Sequence, residues 1–262
     1  MPPPLLRTRV DDGVAVFELD APPANCYSYD IMRELDAAIL AARMDDAVHV
    51  ILLRGAGDRF FCAGADIKML QSVTPQFKYF FCLHASETLL RLEQTPKLVI
   101  AALNGHAVGG GLEVAMACDL RLARKGAGTI GLPEVTLGVL PGTGGTQRLA
   151  RLVGRAKAIE LMATGATFSF EEAQAMGLVN QVIAAGNFDA EVMRYARQFC
   201  PPHKAAMAVG RIKRAVQTGL EIPIAEALAL ERELQQQLFT SEDAKEGLAA
   251  YTGKRPPKFK GR

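Results

Sequence analysis

The amino-acid sequence predicts an α/β core followed by an all-helical C-terminal region. Through the first 190 residues, short apolar runs of the kind found in buried strands alternate with helical patterns. From about Asn187, helical periodicity continues to about Tyr251 and is broken only near Pro201-Pro202 and Pro223. Such an order is typical of an α/β core with an appended helical module. We therefore assign residues 1–190 to the core and residues 191–262 to the helical region.

The N-terminal elements follow from turn chemistry and periodicity. Two β-prone runs, residues 5–10 and 14–19, flank Asp11-Asp12-Gly13, and Asp-Gly between such runs predicts a hairpin. Apolar residues recur at helical spacing over residues 29–43, which predicts an amphipathic helix. The continuous apolar run over residues 48–53 predicts a strand buried on both faces.

The central elements carry clear start signals. Thr74 as N-cap and Pro75 at the first helical position predict a helix that reaches about Glu93. A helix is predicted to begin near Gly110, and Ser169 with Glu172 forms the capping box of another. Further strands are predicted over residues 98–103, 119–123, 129–131 and 179–183, with a turn over residues 104–109.

The composition argues against several classes of protein. Hydrophobic residues make up 49% of the 262-residue chain and charged residues 22%, as in a globular protein with a substantial core. The formal net charge of +2 does not favour a nucleic-acid-binding protein. The apolar stretch over residues 98–116 contains Glu113 and several glycines, so a membrane-spanning helix is not expected.

Cysteine usage and the N-terminus predict a cytoplasmic protein. The five cysteines are odd in number and scattered, and no C-x-x-C motif occurs, so a disulfide framework is not expected. The N-terminal residues contain no apolar segment typical of a secretory signal. The four histidines have no metal-ligand spacing with one another, so no metal site is predicted.

A run of three glycines precedes a glutamate at the predicted start of a helix. Backbone amides in the first turn of a helix have no intrahelical partner, and glycines leave them open to a ligand. Unpaired amides of this kind suit an oxygen that gains negative charge, and Glu113 lies about one turn beyond Gly110. The alternative is that the small residues only allow close packing of strand and helix, and the sequence leaves both interpretations open.

Two further segments are candidates for the same site. Ala63-Gly64-Ala65 follows an apolar run and is placed to supply a second backbone amide, or to form an ordinary glycine turn. Glu134 follows a proline in apolar surroundings, so its carboxyl group is either solvated or has a raised pKa. No dinucleotide-binding motif, P-loop or G-x-S-x-G nucleophile elbow occurs.

Taken together, three motifs resemble the crotonase superfamily, the enoyl-CoA hydratase/isomerase family. They are F-C-A-G-A-D-I-K (residues 61–68), N-G-H-A-V-G-G-G-L-E (residues 104–113) and P-E…P-G-T-G-G-T-Q-R (residues 133–148). The resemblance covers nearly the whole chain. It implies a spiral of β-β-α units, a homotrimer or a dimer of trimers assembled through the helical region, and an acyl-CoA substrate. Coenzyme A is then part of the substrate, and no separate cofactor is implied.

The resemblance also implies roles for individual residues. The amides of Ala65 and Gly110 correspond to the oxyanion hole for the thioester carbonyl. Glu113 corresponds to the group that takes a proton from the attacking water, and Glu134 to the group that delivers a proton to C2. The amide of Gly142 corresponds to a group that positions this water.

Coenzyme A contacts are implied at both ends of the chain. The family's adenine pocket corresponds to Ala63, Ala65, Ile67 and Lys68, and Asp66 is a further predicted coenzyme A contact. Tyr251 and Lys254 correspond to positions that reach the acyl chain and the phosphates, commonly from a neighbouring subunit. The chain departs from the family pattern at residues 25–29, where N-A-L is common, and at Leu132, where several hydratases have glutamine. Both departures leave the acyl-chain preference open.

The implied reaction is hydration of a 2-enoyl-CoA to a 3-hydroxyacyl-CoA. Alternatives within the family are double-bond isomerisation and hydration of a branched or cyclic enoyl-CoA. An alternative of another class is an RNA-binding protein on the same fold, and a third is a catalytically inert homologue. The RNA-binding hypothesis rests on the basic tail and on two clusters, Arg148, Arg151, Arg155 and Lys157 and then Arg211, Lys213 and Arg214.

Overall fold

The computed structural model describes residues 3–262 and contains two β-sheets covered by helices. The strands are β1 (Leu6–Asp11), β2 (Val14–Leu19), β3 (Val50–Gly55), β4 (Phe60–Cys62), β5 (Leu98–Leu103), β6 (His106–Val108), β7 (Leu120–Arg124), β8 (Thr129–Gly131), β9 (Thr167–Ser169) and β10 (Gln181–Ile183). The helices are α1 (Tyr29–Met44), α2 (Ile67–Ser72), α3 (Pro75–Glu93), α4 (Gly110–Met116), α5 (Gly145–Val153), α6 (Arg155–Thr164), α7 (Phe170–Ala175), α8 (Phe188–Arg197), α9 (Ala206–Gly219), α10 (Ile224–Phe239) and α11 (Glu242–Thr252).

From β3 to β8, consecutive strands alternate between the two sheets, and this alternation produces a spiral. The larger sheet has the order β1-β2-β3-β5-β7-β10 and the smaller one the order β4-β6-β8-β9. β3, β5 and β7 are parallel neighbours in the first sheet, as β4, β6 and β8 are in the second. Each pair, β3-β4, β5-β6 and β7-β8, is followed by helix, so the predicted β-β-α repeat and the α/β class are confirmed.

The predicted hairpin and the predicted buried strand are confirmed. β1 and β2 pair antiparallel from Leu6 opposite Leu19 to Asp11 opposite Val14. Asp12 and Gly13 both have positive φ, 47° and 80°, as a two-residue turn of this hand requires. In β3, alternate side chains enter two different apolar clusters, so both faces of the strand are buried.

Several short elements differ from the sequence-based prediction. Residues 106–108 form β6, not part of a turn, because their backbone pairs in parallel with both β4 and β8. α5 and α6 were not predicted: both begin after glycines that provide no side-chain cap, so the usual start signal is missing. The predicted helices with clear caps at Thr74 and Ser169 are confirmed.

The C-terminal helices attach to the core to different degrees. α8 packs on the larger sheet through the buried side chains of Phe188, Val192 and Ala196. The predicted boundary at residue 190 lies inside this helix, and the division of the chain into two regions stays a prediction. α10 is mostly exposed, with only Leu234 buried. No helix within residues 3–262 is long and apolar enough to cross a membrane.

A buried ion pair fastens α9 to the larger sheet. Lys213 Nζ lies 2.8 Å from Asp119 Oδ2, and the two side chains are only 4% and 10% exposed. The same ammonium group donates a hydrogen bond to the Lys97 carbonyl, and Asp119 accepts one from the Val99 amide. Burial raises the pKa of Asp119 even though Lys213 opposes the shift, so the carboxylate depends on its partners to stay ionised.

We expect Lys213→Ala to lower the free energy of unfolding by about 3–5 kcal/mol, because it leaves a buried carboxylate without its counter-ion. Denaturant unfolding followed by circular dichroism measures this loss. Lys245→Ala, at an exposed position of α11, is the matched control and should change stability by less than about 0.5 kcal/mol. Equal stabilities for the two variants would contradict the role given to the ion pair.

Candidate active site

The carboxylate of Glu113 is buried and fixed by one loop. Glu113 lies in α4 and is 2% exposed. Its Oε1 accepts hydrogen bonds from the amides of Thr143, at 2.8 Å, and Gly145, at 2.7 Å. The Thr143 hydroxyl donates a third hydrogen bond, to Oε2. All three contacts are donors, so the carboxylate is held in place as an acceptor.

Glycine and arginine shape the loop that holds Glu113. Gly144 has a φ of 109°, a conformation that strongly favours glycine. A methyl group on Gly145 would lie 3.0 Å from Glu113 Oε1 and 2.7 Å from Pro141 Cβ, so only glycine allows this approach. Arg148 donates a hydrogen bond to the Thr143 carbonyl and pairs with Glu93 at 2.8 Å. The loop is therefore fixed both by its own backbone and by this ion pair.

The second carboxyl group lies near the same helix start. Glu134 begins a short 3-10 helix, Glu134–Leu137, after β8. A methyl group built on Gly109 would lie 2.9 Å from Glu134 Oε1, which places the carboxyl against the first residues of α4. Among residues 3–262, the buried Oε2 atom has no hydrogen-bond partner. Burial raises the pKa of Glu134 to about 7, and the charge of Glu113 adds a smaller increase.

Two backbone amides without partners lie beside these carboxyl groups. In the part of the chain that the structure describes, neither the Ala65 nor the Gly110 amide donates a hydrogen bond. A methyl group on Gly64 would lie 3.0 Å from the Gly110 nitrogen, so the two segments are in contact. Tyr27 bridges to the backbone on either side of Ala65, because its amide donates to Gly64 and its carbonyl accepts from Asp66. The amide of Ala65 stays free between these bonds.

The other residues predicted to contact coenzyme A near Ala65 lie at the start of α2 and just before it. Asp66 caps α2 by accepting hydrogen bonds from the amides of Lys68 and Met69, which places Ile67 and Lys68 at an exposed first turn beside Ala65. The Ala63 amide is not free, because it donates to the Ala24 carbonyl.

Gly142 and the C-terminal residues occupy different surroundings. Gly142 is exposed and directly precedes Thr143, so it lies in the loop that holds Glu113. Tyr251 is 87% exposed in α11, and Lys254 follows this helix. Within residues 3–262, no hydrogen bond or salt bridge joins either residue to the glutamate site. The tail beyond them returns towards the start of β3, where Gly261 approaches His49.

Sequence reasoning missed the roles of four residues that shape the site. Thr143 and Gly145 lie within the third motif, but nothing in their spacing showed that they would bind Glu113. Arg148 ends the third motif and belongs to a basic cluster, but neither feature predicted that it would hold this loop. Tyr27 hydrogen-bonds to Thr143, and its position within residues 25–29 was noted only as a departure from the family pattern. All of these contacts join residues distant in sequence, so only the fold reveals them.

The spiral of β-β-α units is the fold of the crotonase superfamily. A family model described as enoyl-CoA hydratase/isomerase matches residues 9–262. The chain therefore belongs to the enoyl-CoA hydratase/isomerase family, which confirms the resemblance found in its sequence.

Individual relatives match over nearly their full length. A probable enoyl-CoA hydratase of Bacillus subtilis (strain 168) is 40% identical over 255 residues, 96% of this chain and 97% of the relative. A short-chain-enoyl-CoA hydratase of Clostridium acetobutylicum is 39% identical over 245 residues, 92% of each chain. A crystal structure of an enoyl-CoA hydratase from Geobacillus kaustophilus HTA426 superposes with a TM-score of 0.97 at 45% identity, covering 100% of this chain and 98% of the other.

We expect Gly145→Ala to lower the free energy of unfolding by about 1–3 kcal/mol, because the added methyl group meets Pro141 and the Glu113 carboxylate. Denaturant unfolding gives the difference. Gly186→Ala is the control, since a methyl group there has no neighbour within 4 Å. If the Gly145→Ala protein is as stable as the Gly186→Ala protein, the loop rearranges to accept the methyl group and the prediction is wrong.

Proposed function

We propose that this chain adds water across the 2,3 double bond of a 2-enoyl-CoA to give a 3-hydroxyacyl-CoA. The observation that carries the proposal is the pairing of two unlike carboxyl groups: Glu113 is held by three donors, whereas Glu134 has a pKa raised to about 7. Addition of water needs one group that accepts a proton and another that donates one. The names of the relatives support the same reaction.

In the proposed mechanism, Glu113 accepts a proton from water as the water oxygen forms its bond to C3. The electrons of the double bond move towards the thioester, and the carbonyl oxygen gains negative charge. The free amides of Ala65 and Gly110 stabilise that charge. Glu134 then donates its proton to C2, which completes the addition. The water is held between the carboxyl groups, with the Gly142 amide as a third contact.

The binding of coenzyme A is proposed at the segment that carries Ala65. Ile67 and Lys68 are exposed in the first turn of α2, directly after the free amide, and the lysine offers a positive charge to a phosphate. Ala63 and Asp66 shape this turn, the latter by capping it. We propose that the reaction needs no cofactor besides the coenzyme A of its substrate.

An exposed apolar surface supports the proposal of a homotrimer or a dimer of trimers. Large apolar side chains of α9 and α10 face solvent in the single chain, among them Ile212, Val216, Leu220, Ile224 and Leu228. Several exposed large apolar side chains on neighbouring helices are typical of subunit interfaces. We propose that assembly brings Tyr251 and Lys254 of one subunit to the acyl-CoA of another.

Isomerisation is the second candidate function, because two carboxyl groups that can move a proton from one carbon to another are also suited to shift a double bond. Hydration of branched or cyclic enoyl-CoA substrates is a third. The RNA-binding hypothesis loses support, since four of the seven basic residues in its two clusters are paired with acids. Arg148 pairs with Glu93, Arg151 with Glu221, Lys157 with Glu160 and Lys213 with Asp119.

The first experiment follows the loss of the enoyl thioester absorbance of crotonyl-CoA. We expect rapid loss with the wild-type protein and roughly a hundredfold or greater fall in kcat for Glu113→Gln and for Glu134→Gln, because each removes one half of the proton transfer. Glu171→Gln, at an exposed position of α7, should react at the wild-type rate. If the wild-type protein isomerises a 3-enoyl-CoA but hydrates no 2-enoyl-CoA, then the proposed function is wrong and the protein is an isomerase.

The pH profile gives an independent test. Since the pKa of Glu134 is raised to about 7, its carboxyl group is protonated below that pH and loses the proton above it. We expect kcat/KM for hydration to fall about tenfold per pH unit above pH 7. Dehydration of the product should show the same limb, because the active pair carries one proton in either direction and the reaction releases none. A kcat/KM that rises between pH 7 and 9 would contradict this assignment.

A further inference from the structure

The segment over residues 25–29 reaches both halves of the site, although the proposed reaction assigns it no role. Asn25 fixes the segment: its side-chain amide donates hydrogen bonds to the carbonyls of Ala56 and Phe60, and its side-chain oxygen accepts one from the Ala21 amide. Asn25 is 4% exposed. The position of Tyr27, two residues on, is therefore well determined.

The backbone of Tyr27 holds the segment that carries one free amide. Its amide donates to the Gly64 carbonyl at 3.0 Å, and its carbonyl accepts from the Asp66 amide at 3.0 Å. These two bonds lie on either side of Ala65. The orientation of the Ala65 peptide therefore depends on where Tyr27 lies.

The side chain of Tyr27 reaches the other half of the site. Its hydroxyl oxygen lies 3.2 Å from Thr143 Oγ1, and the Thr143 hydroxyl donates its only proton to Glu113. Tyr27 must therefore be the donor in its bond to Thr143. Burial, reinforced by the nearby charge of Glu113, raises the pKa of Tyr27 well above its usual value, so its hydroxyl keeps the proton that it donates.

The ring of Tyr27 has little freedom to move. It is 3% exposed and packs against Phe81 with ring centroids 5.9 Å apart. A methyl group on Gly110 would lie 2.3 Å from the Tyr27 hydroxyl oxygen, so the hydroxyl lies against the residue that carries the second free amide. One side chain is thus in contact with Gly110 and linked to Glu113.

We propose that Tyr27 is a positioning residue that acts through Thr143 to hold the Glu113 carboxylate in a fixed relation to the amides of Ala65 and Gly110. The inference rests on the proposed hydratase function. Tyr27 is too deeply buried to bind the substrate itself, so it acts on turnover and leaves substrate binding unchanged. Its hydroxyl completes a one-way chain of donors, Tyr27 to Thr143 to Glu113.

The test is a double-mutant cycle on hydration of crotonyl-CoA. Tyr27→Phe removes only the hydroxyl, and we expect kcat to fall about fivefold to tenfold, the effect of one lost hydrogen bond, with KM within twofold of the wild-type value. Thr143→Val should lower kcat further, and Thr143→Ser, which keeps the hydroxyl, should restore most of it. In the Thr143→Val background, Tyr27→Phe should have no additional effect.

The control and the outcomes separate the inference from the function on which it rests. Tyr195→Phe, in α8, removes a tyrosine hydroxyl remote from the site and should leave kcat unchanged. If the effects of Tyr27→Phe and Thr143→Val on kcat multiply, or if Tyr27→Phe has the wild-type kcat, the donor chain from Tyr27 to Glu113 is wrong. The proposed hydratase function would be unaffected by either result. A folded wild-type protein that hydrates no 2-enoyl-CoA would overturn the function itself. If the Tyr27→Phe protein does not fold, the comparison of the two Thr143 variants decides the inference. A kcat of Thr143→Ser no higher than that of Thr143→Val would then overturn the donor chain without affecting the proposed hydratase function.

Discussion

A carboxylate buried in an apolar core is stable only if donors replace the water that it loses, and Glu113 satisfies that constraint through a single loop. Three donors from Thr143 and Gly145 converge on it. The burial of Glu113 also restricts the sequence of this loop, because the loop needs glycines where its backbone approaches the carboxylate. It also needs Arg148 and Glu93 to hold it from the other side. Much of the third motif is therefore explained by the burial of one charge.

Glu134 shows the opposite solution to the same constraint. No donor reaches its buried Oε2 within residues 3–262, and burial therefore favours the neutral form. The two glutamates thus differ in their surroundings: three donors reach the Glu113 carboxylate, whereas burial dominates at Glu134 and raises its pKa. The two glutamates lie on different elements, Glu113 on α4 in contact with the 143–145 loop and Glu134 on the 3-10 helix after β8. The spiral brings these elements together from separate repeats.

The sequence was informative where local physics decides the structure. The hairpin at Asp12-Gly13, the capped start of α3 and the helix start at Gly110 all follow from short-range signals. Three-residue strands such as β6 have no period to detect and exist only because neighbours pair with them. The basic clusters were misleading for a related reason: the acids that neutralise Arg148 and Lys213 are remote in sequence.

Residues of the site differ in how much free space surrounds them, and this space determines which of them can be substituted. A methyl group on Gly109 or Gly145 would lie within 3.0 Å of a glutamate carboxyl oxygen, so a larger residue at either position would displace that carboxyl group. Immediately after Glu134, by contrast, Val135, Leu137, Val139 and Leu140 are exposed side chains of one turn. Substitutions in that segment therefore change the surface beside Glu134 while the packing that fixes Glu113 stays as it is.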